Sequence, residues 1–181
     1  MKNNLNKTLI FLFFFLMNNF AQANVYSFSF KGIDGEKIDL KSFKGKPIII
    51  VNTASFCGYT NQYKQLQNLF EKYKKNDLVL IGIPSNDFGN QEFKENKEVK
   101  EFCETKFNIS FKLTEITKIK NKDGHSFFKW VKNQKGFLSF PKWNFYKYLF
   151  NREGDLVAWF SSIKEPSSKT FLKEVENIIK K

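Results

Sequence analysis

The residues with the most evident chemistry surround Cys57, in the stretch NTASFCGYT at positions 52 to 60. A cysteine thiolate is a nucleophile that can be oxidised and then restored. A disulfide exchanger of the C-x-x-C type would carry its second thiol at position 60, but this chain has Thr60 there. The second of its two cysteines is Cys103. Cys57 therefore has two alternative uses, as half of a structural disulfide with Cys103 or as a reactive thiol.

Cys57 lies between a predicted strand and a predicted helix. The stretch PIIIVNTAS, residues 47 to 55, is apolar on both faces, which predicts a strand in the centre of a sheet. Helical periodicity then predicts a helix over about residues 60 to 75, with apolar positions at Tyr63, Leu66, Phe70 and Tyr73. A helix N-terminus favours an anion, so this place favours the thiolate of Cys57. Gly58 allows the backbone to approach the sulfur closely.

The other elements predict an α/β protein. Turn residues separate YSFSF from KIDL, which predicts an N-terminal hairpin. Strands are expected at 78–84, 111–116, 145–150 and 156–160, and helices at 96–107, 124–134 and 168–180. This order predicts a thioredoxin-like fold, in which a central mixed sheet is flanked by helices and preceded by the β-hairpin.

The first 23 residues have the features of a secretory signal peptide. Lys2 and Lys7 precede the apolar run LIFLFFFLM, and Ala21-Gln22-Ala23 supplies small residues for cleavage. As a helix this run would reach only about 14 Å, at about 1.5 Å per residue, against a hydrocarbon core of about 30 Å. An uncleaved anchor would need a longer run. We therefore expect cleavage near Ala23, export to the periplasm or the exterior, and one domain over residues 24–181.

The charge of the chain does not point to a nucleic-acid partner. Its formal net charge is +12, but Arg152 is the only arginine among the 30 basic residues, and the lysines are dispersed. Recognition of phosphate and guanine favours the bidentate arginine side chain.

Two cysteines and one histidine, His125, are too few for a structural zinc site within one chain. We expect no metal and no cofactor.

Three kinds of chemistry use a thiolate in such a place, namely disulfide exchange, thiol hydrolysis and peroxide reduction. Thr60 removes the neighbouring thiol that an exchanger needs. A papain-like hydrolase needs a histidine base, and His125 begins a surface-type helix instead. The common peroxiredoxin pattern P-x-x-x-T-x-x-C is also absent, because Ile50 and Ala54 occupy its proline and threonine positions. A thiolate that meets a small oxidant and is resolved by a distant thiol is the remaining interpretation.

Three blocks of sequence carry a family resemblance. They are VNTASFCGYT around Cys57, IPSNDFGNQEF at positions 83 to 93, and KWNFYKYL at positions 142 to 149. In this order and spacing they resemble the cysteine-containing glutathione peroxidases, over essentially the whole chain after the leader. The resemblance implies a catalytic group of Cys57, Gln91, Trp143 and Asn144. Neutral amide and indole N–H donors suit peroxide reduction, because negative charge moves from sulfur to a departing oxygen.

The resemblance also gives Cys103 a function. EFCETKF, at positions 101 to 107, is similar to the helix that carries a resolving cysteine in family members reduced by thioredoxin. The implied enzyme reduces hydrogen peroxide and organic or lipid hydroperoxides, including those in membranes. Cys57 would become a sulfenic acid, Cys103 would convert it to a disulfide, and a thioredoxin-like protein or glutathione would restore both thiols. The alternative is an exported redox-sensing module that passes oxidation to a partner protein.

The chain also departs from the family pattern. Thr53 replaces a residue that is commonly apolar, and Ser85 occupies a place where many relatives have a further cysteine. Asp87 replaces the usual glutamine and Phe93 replaces the usual proline. We therefore expect a changed loop around the catalytic Gln91. The short segment before KWNF lacks the insertion of tetrameric relatives, which predicts a monomer. Arg152 alone provides no arginine cluster for the carboxylates of glutathione.

Overall fold

The computed structural model describes residues 23–180, so the predicted signal peptide lies almost wholly outside the described residues. Seven strands follow the chain as β1 (Ser29–Lys31), β2 (Lys37–Asp39), β3 (Ile48–Thr53), β4 (Val79–Pro84), β5 (Lys112–Leu113), β6 (Lys147–Phe150) and β7 (Leu156–Phe160). Four helices accompany them, as α1 (Gln62–Tyr73), α2 (Asn96–Phe107), α3 (Ser126–Lys135) and α4 (Lys169–Lys180). Among residues 23–180 no helix has the length and apolar character needed to cross a membrane.

The central sheet is mixed, as predicted. Its strand order is β5-β4-β3-β6-β7, and β1 and β2 form a separate antiparallel hairpin. The pairs β3-β4 and β4-β5 are parallel, whereas β3-β6 and β6-β7 are antiparallel. All six residues of β3 are buried. The apolar stretch before Cys57 therefore forms the middle strand, and it aims the following loop at the carboxyl end of the parallel strands.

Two hydrophobic cores lie on opposite faces of the sheet. Because side chains alternate along a strand, Ile49 and Val51 of β3 enter one core while Ile48 and Ile50 enter the other. The first core is covered by α1, α2 and α4, whose buried residues include Leu66, Val99, Phe171 and Val175. The second is covered by α3 and the hairpin, whose buried residues include Phe30, Ile38, Phe127 and Phe128. Cys57 and Cys103 both belong to the first core.

His125 caps a helix and gives no support to a hydrolase. Its Nδ1 accepts a hydrogen bond from the backbone N–H of Phe127 at 3.3 Å, at the start of α3. Its Nε2 donates to the backbone carbonyl of Ser29 at 3.0 Å, and its ring stacks on Phe30. Burial lowers the pKa of His125, which favours the neutral imidazole that this pair of hydrogen bonds requires. Both ring nitrogens are therefore used to join α3 to the hairpin.

Arg152 joins three segments at the end of the sheet opposite Cys57. It lies in the turn between β6 and β7, and its guanidinium donates to the backbone carbonyls of Gly45, Asn76 and Ile179 at 2.9, 3.4 and 3.2 Å. Gly45 precedes β3 and Asn76 precedes β4, whereas Cys57 follows β3. The single arginine is thus committed to the fold.

Candidate active site

Thr60 holds the turn that carries Cys57. Its hydroxyl accepts a hydrogen bond from the backbone N–H of Cys57 at 3.0 Å and donates to the carbonyl of Ala54 at 2.9 Å. The backbone N–H of Thr60 also donates to the carbonyl of Cys57 at 3.0 Å. The residue that stands in the second position of a C-x-x-C pair therefore fixes the loop through three hydrogen bonds.

The sulfur of Cys57 receives a backbone donor. The N–H of Tyr59 lies 3.5 Å from Sγ, in the turn before α1, and the cysteine is 8% exposed. Helix α1 begins at Gln62, later than the predicted start at about residue 60, because the turn fixed by Thr60 intervenes. The N–H group directed at the sulfur thus comes from this turn rather than from the first turn of the helix.

Gln91 lies directly against the Cys57 loop. Its backbone carbonyl accepts a hydrogen bond from the N–H of Phe56 at 2.9 Å. Its side-chain Oε1 accepts from Nδ2 of Asn144 at 3.2 Å, and Asn144 also donates to the carbonyl of Phe88 at 3.3 Å. Because the amide oxygen of Gln91 is engaged by Asn144, the NH₂ group is the part of this amide that remains to donate. Two of the predicted site residues are therefore in direct contact.

Asn52 holds Trp143 and Asn144 in place. Its Nδ2 donates to the carbonyl of Trp143 at 3.0 Å, and its Oδ1 accepts from the N–H of Tyr146 at 2.8 Å. Between them Phe145 adopts a left-handed conformation with φ of 64°, and its N–H donates to the carbonyl of Asn52. This turn explains why β6 begins at Lys147 and not at residue 145 as predicted. Our site prediction did not include Asn52. The signal that could have identified it is an asparagine within a buried apolar strand.

Trp143 forms one wall of a shallow pocket beside the Cys57 loop. Its indole is 38% exposed and lies against Gly89, where an added Cβ would come within 3.2 Å of the ring. The pocket has a volume of about 370 Å³ and is lined by Tyr59, Trp143, Tyr146, Ser161, Ser162 and Ile163. The exposed side chain of Ile163 adds apolar surface at its rim. The structure thus places Gln91, Trp143 and Asn144 on segments that meet the loop of Cys57.

Glu92 is a buried carboxyl that the sequence did not single out. Its Oε1 accepts hydrogen bonds from the backbone N–H groups of Ser55 and Phe93, at 3.3 and 3.0 Å. Burial raises the pKa of Glu92 to about 7, and the hydrogen bonds from Ser55 and Phe93 offset only part of this effect. Glu92 therefore ties the start of the Cys57 loop to the segment that carries Gln91.

Cys103 is fully buried on α2, and both cysteines are free thiols. The structure is thus the dithiol form, and the two cysteines do not form the structural disulfide that was one alternative. Burial raises the pKa of Cys103 to about 12, and the neighbouring Tyr63 hydroxyl offsets only part of the rise. A buried neutral thiol is a poor nucleophile, so Cys103 is inert in this conformation.

Aromatic side chains cover the region between the Cys57 loop and α2. Phe56 contacts Phe93 and Phe102, with ring centroids 4.5 and 6.2 Å apart. Phe102 also contacts Phe93 at 5.6 Å and Phe107 at 5.7 Å. Such pairs each contribute about 0.5–1.5 kcal/mol. Because Cys103 follows Phe102 in α2, any movement that exposes its thiol disturbs these contacts.

Comparison with known proteins agrees with this geometry. A family model described as glutathione peroxidase matches residues 25–132. The chain belongs to the glutathione peroxidase family. It is accordingly a peroxidase of the oxidoreductase class.

Individual relatives cover nearly the whole described part of the chain. A glutathione peroxidase of Lactococcus lactis subsp. cremoris is 39% identical over 160 residues, which are 87% of this chain and 98% of that protein. A hydroperoxy fatty acid reductase of Synechocystis is 38% identical over 156 residues, which are 81% of this chain and 92% of that protein.

Solved structures give the same result for the fold. The apo form of Trgpx superposes with a TM-score of 0.70 and 30% identity, over 88% of this chain and 97% of that one. A thioredoxin family protein of Chlorobium tepidum, only 14% identical, has a TM-score of 0.64 over 87% of this chain and 97% of its own. The thioredoxin-like fold predicted from the order of elements is confirmed.

Two departures from the family pattern anchor the loop of Gln91. The Asp87 carboxylate accepts hydrogen bonds from the backbone N–H groups of Ile119 and Lys120, at 2.6 and 2.7 Å. Phe93 stands where glutathione peroxidases usually have proline, and it packs on Phe56. The changed residues thus supply contacts of their own to this loop.

Within residues 23–180 no cluster of three or more His, Cys, Asp or Glu residues has a geometry suited to a metal ion.

Proposed function

We propose that this glutathione peroxidase homologue reduces hydroperoxides through Cys57. The main support is the backbone N–H of Tyr59, which is directed at Sγ of Cys57. The same loop is hydrogen-bonded to the segment of Gln91. The thiolate attacks one peroxide oxygen, the O–O bond breaks, and sulfur takes that oxygen as a sulfenic acid. The second oxygen leaves as water or alcohol after it takes a proton. N–H donors of Gln91 and Trp143 stabilise its negative charge. Asn144, whose amide donates to Phe88 and Gln91, orients the Gln91 amide for this.

Cys103 resolves the sulfenic acid in our proposal. Its thiolate attacks the sulfur of Cys57, a disulfide forms, and the sulfenic oxygen leaves as water after protonation. Cys103 is fully buried, and its pKa of about 12 disfavours the thiolate there. The residue must leave this environment before it reacts, so α2 has to open locally. The aromatic contacts of Phe102 are then broken.

We propose a thioredoxin-like dithiol as the preferred reductant, with glutathione as a weaker donor. Glutathione presents two carboxylates, which arginine recognises best. Arg152 is bonded to three backbone carbonyls at the opposite end of the sheet. The exposed Phe56 and Ile163 near Cys57 give a protein donor an apolar contact surface. As substrates we propose hydrogen peroxide and organic or lipid hydroperoxides. The lipid substrates are supported by the similarity to the hydroperoxy fatty acid reductase of Synechocystis.

Steady-state kinetics with two reductants test this proposal. Peroxide consumption is measured with a thioredoxin system and with glutathione, using hydrogen peroxide and cumene hydroperoxide. We expect Cys57→Ser to lose activity by at least about a thousandfold with every pair, because the nucleophile is gone. Cys103→Ser should lose turnover with the thioredoxin system and keep turnover with glutathione. Full activity of Cys57→Ser contradicts the proposal, and a mixed disulfide with a partner protein without peroxide turnover would favour the redox relay.

We also propose that the protein is exported. The support is the leader sequence of residues 1–23, with its lysines, apolar run and small residues before position 24. Mass spectrometry of the protein from its native host should find an N-terminus close to Asn24 outside the cytoplasm. A chain that retains its leader and stays in the cytoplasm contradicts export.

We propose further that the protein is a monomer. The support is the short segment between α3 and β6, which lacks the insertion of tetrameric relatives. Light scattering on the purified protein should give a mass close to that of one chain. A mass of two or four chains that persists on dilution contradicts this state.

A further inference from the structure

Lys147 is a fully buried lysine in the central sheet. It lies on β6, paired with Val51 of β3 and Phe160 of β7. Its Nζ donates to the backbone carbonyls of Ser161, Ser162 and Lys164, at 3.3, 3.5 and 2.7 Å. No carboxylate of the described chain lies within ion-pair distance of it. A buried ammonium needs hydrogen-bond acceptors for its N–H groups, and the three carbonyls accept in place of water.

Lys147 binds carbonyls of a segment that forms one wall of the pocket beside Trp143, through Ser161, Ser162 and Ile163. In this segment, residues 161–164, the side chain of Ile163 is 78% exposed at the rim. Ser162 Oγ donates to the backbone carbonyl of Asn144 at 2.5 Å. Gln62, the first residue of α1, donates to the carbonyl of Ser162 at 2.7 Å. The segment thus links Lys147 to a predicted site residue and to the pocket.

The charge state of Lys147 is sensitive to its surroundings. Burial lowers the pKa of Lys147 to about 7, and Glu165, from the segment before α4, offsets part of this shift. Among the described residues, Glu165 is the charged neighbour that acts on its pKa. Of the elements packed around it, α1 presents Gln62, β3 presents Val51 and β7 presents Phe160, and the buried residues of α4 are all apolar. Above about pH 7 the amine keeps two N–H donors for three carbonyls.

We propose that Lys147 is a positioning residue, whose ammonium holds segment 161–164 so that Ser162 fixes Asn144 and Ile163 completes the pocket against Trp143. The inference rests on the proposed peroxidase function of Cys57. Large hydroperoxides depend on the pocket wall, whereas hydrogen peroxide needs little of it. Loss of the ammonium should therefore lower activity toward a large hydroperoxide more than activity toward hydrogen peroxide.

The test is the ratio of kcat/KM for cumene hydroperoxide to kcat/KM for hydrogen peroxide, from pH 6 to pH 8.5. The ratio cancels any pH dependence of the reacting thiol, which both substrates share. We expect it to fall with rising pH in the wild-type protein, and to be about tenfold lower and independent of pH in Lys147→Met. The control Lys169→Met, at an exposed position of α4, should behave like the wild type. If neither substrate is consumed, the peroxidase proposal itself fails.

A second measurement does not need the Lys147→Met variant to fold. Backbone amide shifts of Ser162, Ile163 and Lys164 are followed by NMR in the reduced wild-type protein, together with the Lys147 side-chain nitrogen. Glu92 titrates in the same range, so Glu92→Gln is examined in parallel. We expect a shared midpoint near pH 7 that persists in Glu92→Gln. Amides of segment 161–164 that do not titrate, or a substrate ratio unchanged in Lys147→Met, would overturn the proposal.

Discussion

Thr60 closes the turn around Cys57, where its hydroxyl accepts from the N–H of Cys57 and donates its one hydrogen to the carbonyl of Ala54. We expect Thr60→Val, which keeps the shape but removes the hydroxyl, to lower the free energy of unfolding by about 1–3 kcal/mol. The oxidation rate of Cys57 by peroxide should fall as well, because the N–H of Cys57 loses its acceptor. Urea unfolding and stopped-flow oxidation measure the two effects. The exposed Thr105→Val serves as control, and equal values for both variants would contradict this view of Thr60.

Glu92 gives the stability a recognisable pH dependence. Its pKa is about 7 in the folded protein and 4.5 in the unfolded chain, so the folded state binds more protons between these values. Stability from this group is therefore complete below about pH 4.5 and declines by about 3 kcal/mol as the pH rises to about 7. Glu92→Gln keeps the acceptor oxygen and cannot ionise. Its stability relative to the wild type should increase over this range in urea unfolding, and a constant difference would argue against a buried titrating carboxyl.

At the scale of elements, the packing of α2 keeps the thiol of Cys103 buried. Phe102 packs between Phe56, Phe93 and Phe107, and we expect Phe102→Ala to loosen α2 without touching either cysteine. Disulfide formation after oxidation of Cys57 should become several-fold faster. The free energy of unfolding should fall by no more than about 5 kcal/mol. Rapid quenching with mass detection follows the disulfide. Phe137→Ala, at an exposed position, is the control. A slower disulfide in Phe102→Ala would mean that α2 must stay packed.

The elements themselves were largely predictable, whereas the contacts between distant segments were not. β3 is a continuous apolar run and α1 has a helical period, so their types followed from the sequence. β5 shrank to Lys112–Leu113 because pairing with β4, and not local pattern, sets its length. Asn52 bonds to Trp143 and Tyr146, Glu92 to Ser55, and Lys147 to residues beyond the next strand, so their partners lie in other segments of the chain. A buried polar residue in an apolar strand signals such a partner without identifying it.

At the scale of the molecule, Arg152 is a structural clamp between the turn of β6-β7 and three distant carbonyls. We expect Arg152→Ala to lower the melting temperature by several degrees, because charged donors to partly buried carbonyls are lost. The ratio of turnover with thioredoxin to turnover with glutathione should not change, since this end of the sheet is remote from Cys57. Thermal unfolding and kinetics with both reductants provide the readouts. Selective loss of glutathione turnover would place the tripeptide at Arg152 instead.

The central claim is that one peroxide molecule oxidises Cys57 and that Cys103 completes the reaction. Its most direct test is intact-mass and peptide analysis of the reduced protein after one equivalent of hydrogen peroxide. We predict that the wild type loses two hydrogens and yields a Cys57–Cys103 peptide pair. Cys103→Ser should gain one oxygen on Cys57, and Cys57→Ser should remain unmodified. Oxygen found on Cys103, or a wild-type protein that stays a dithiol while peroxide is consumed, would contradict the claim.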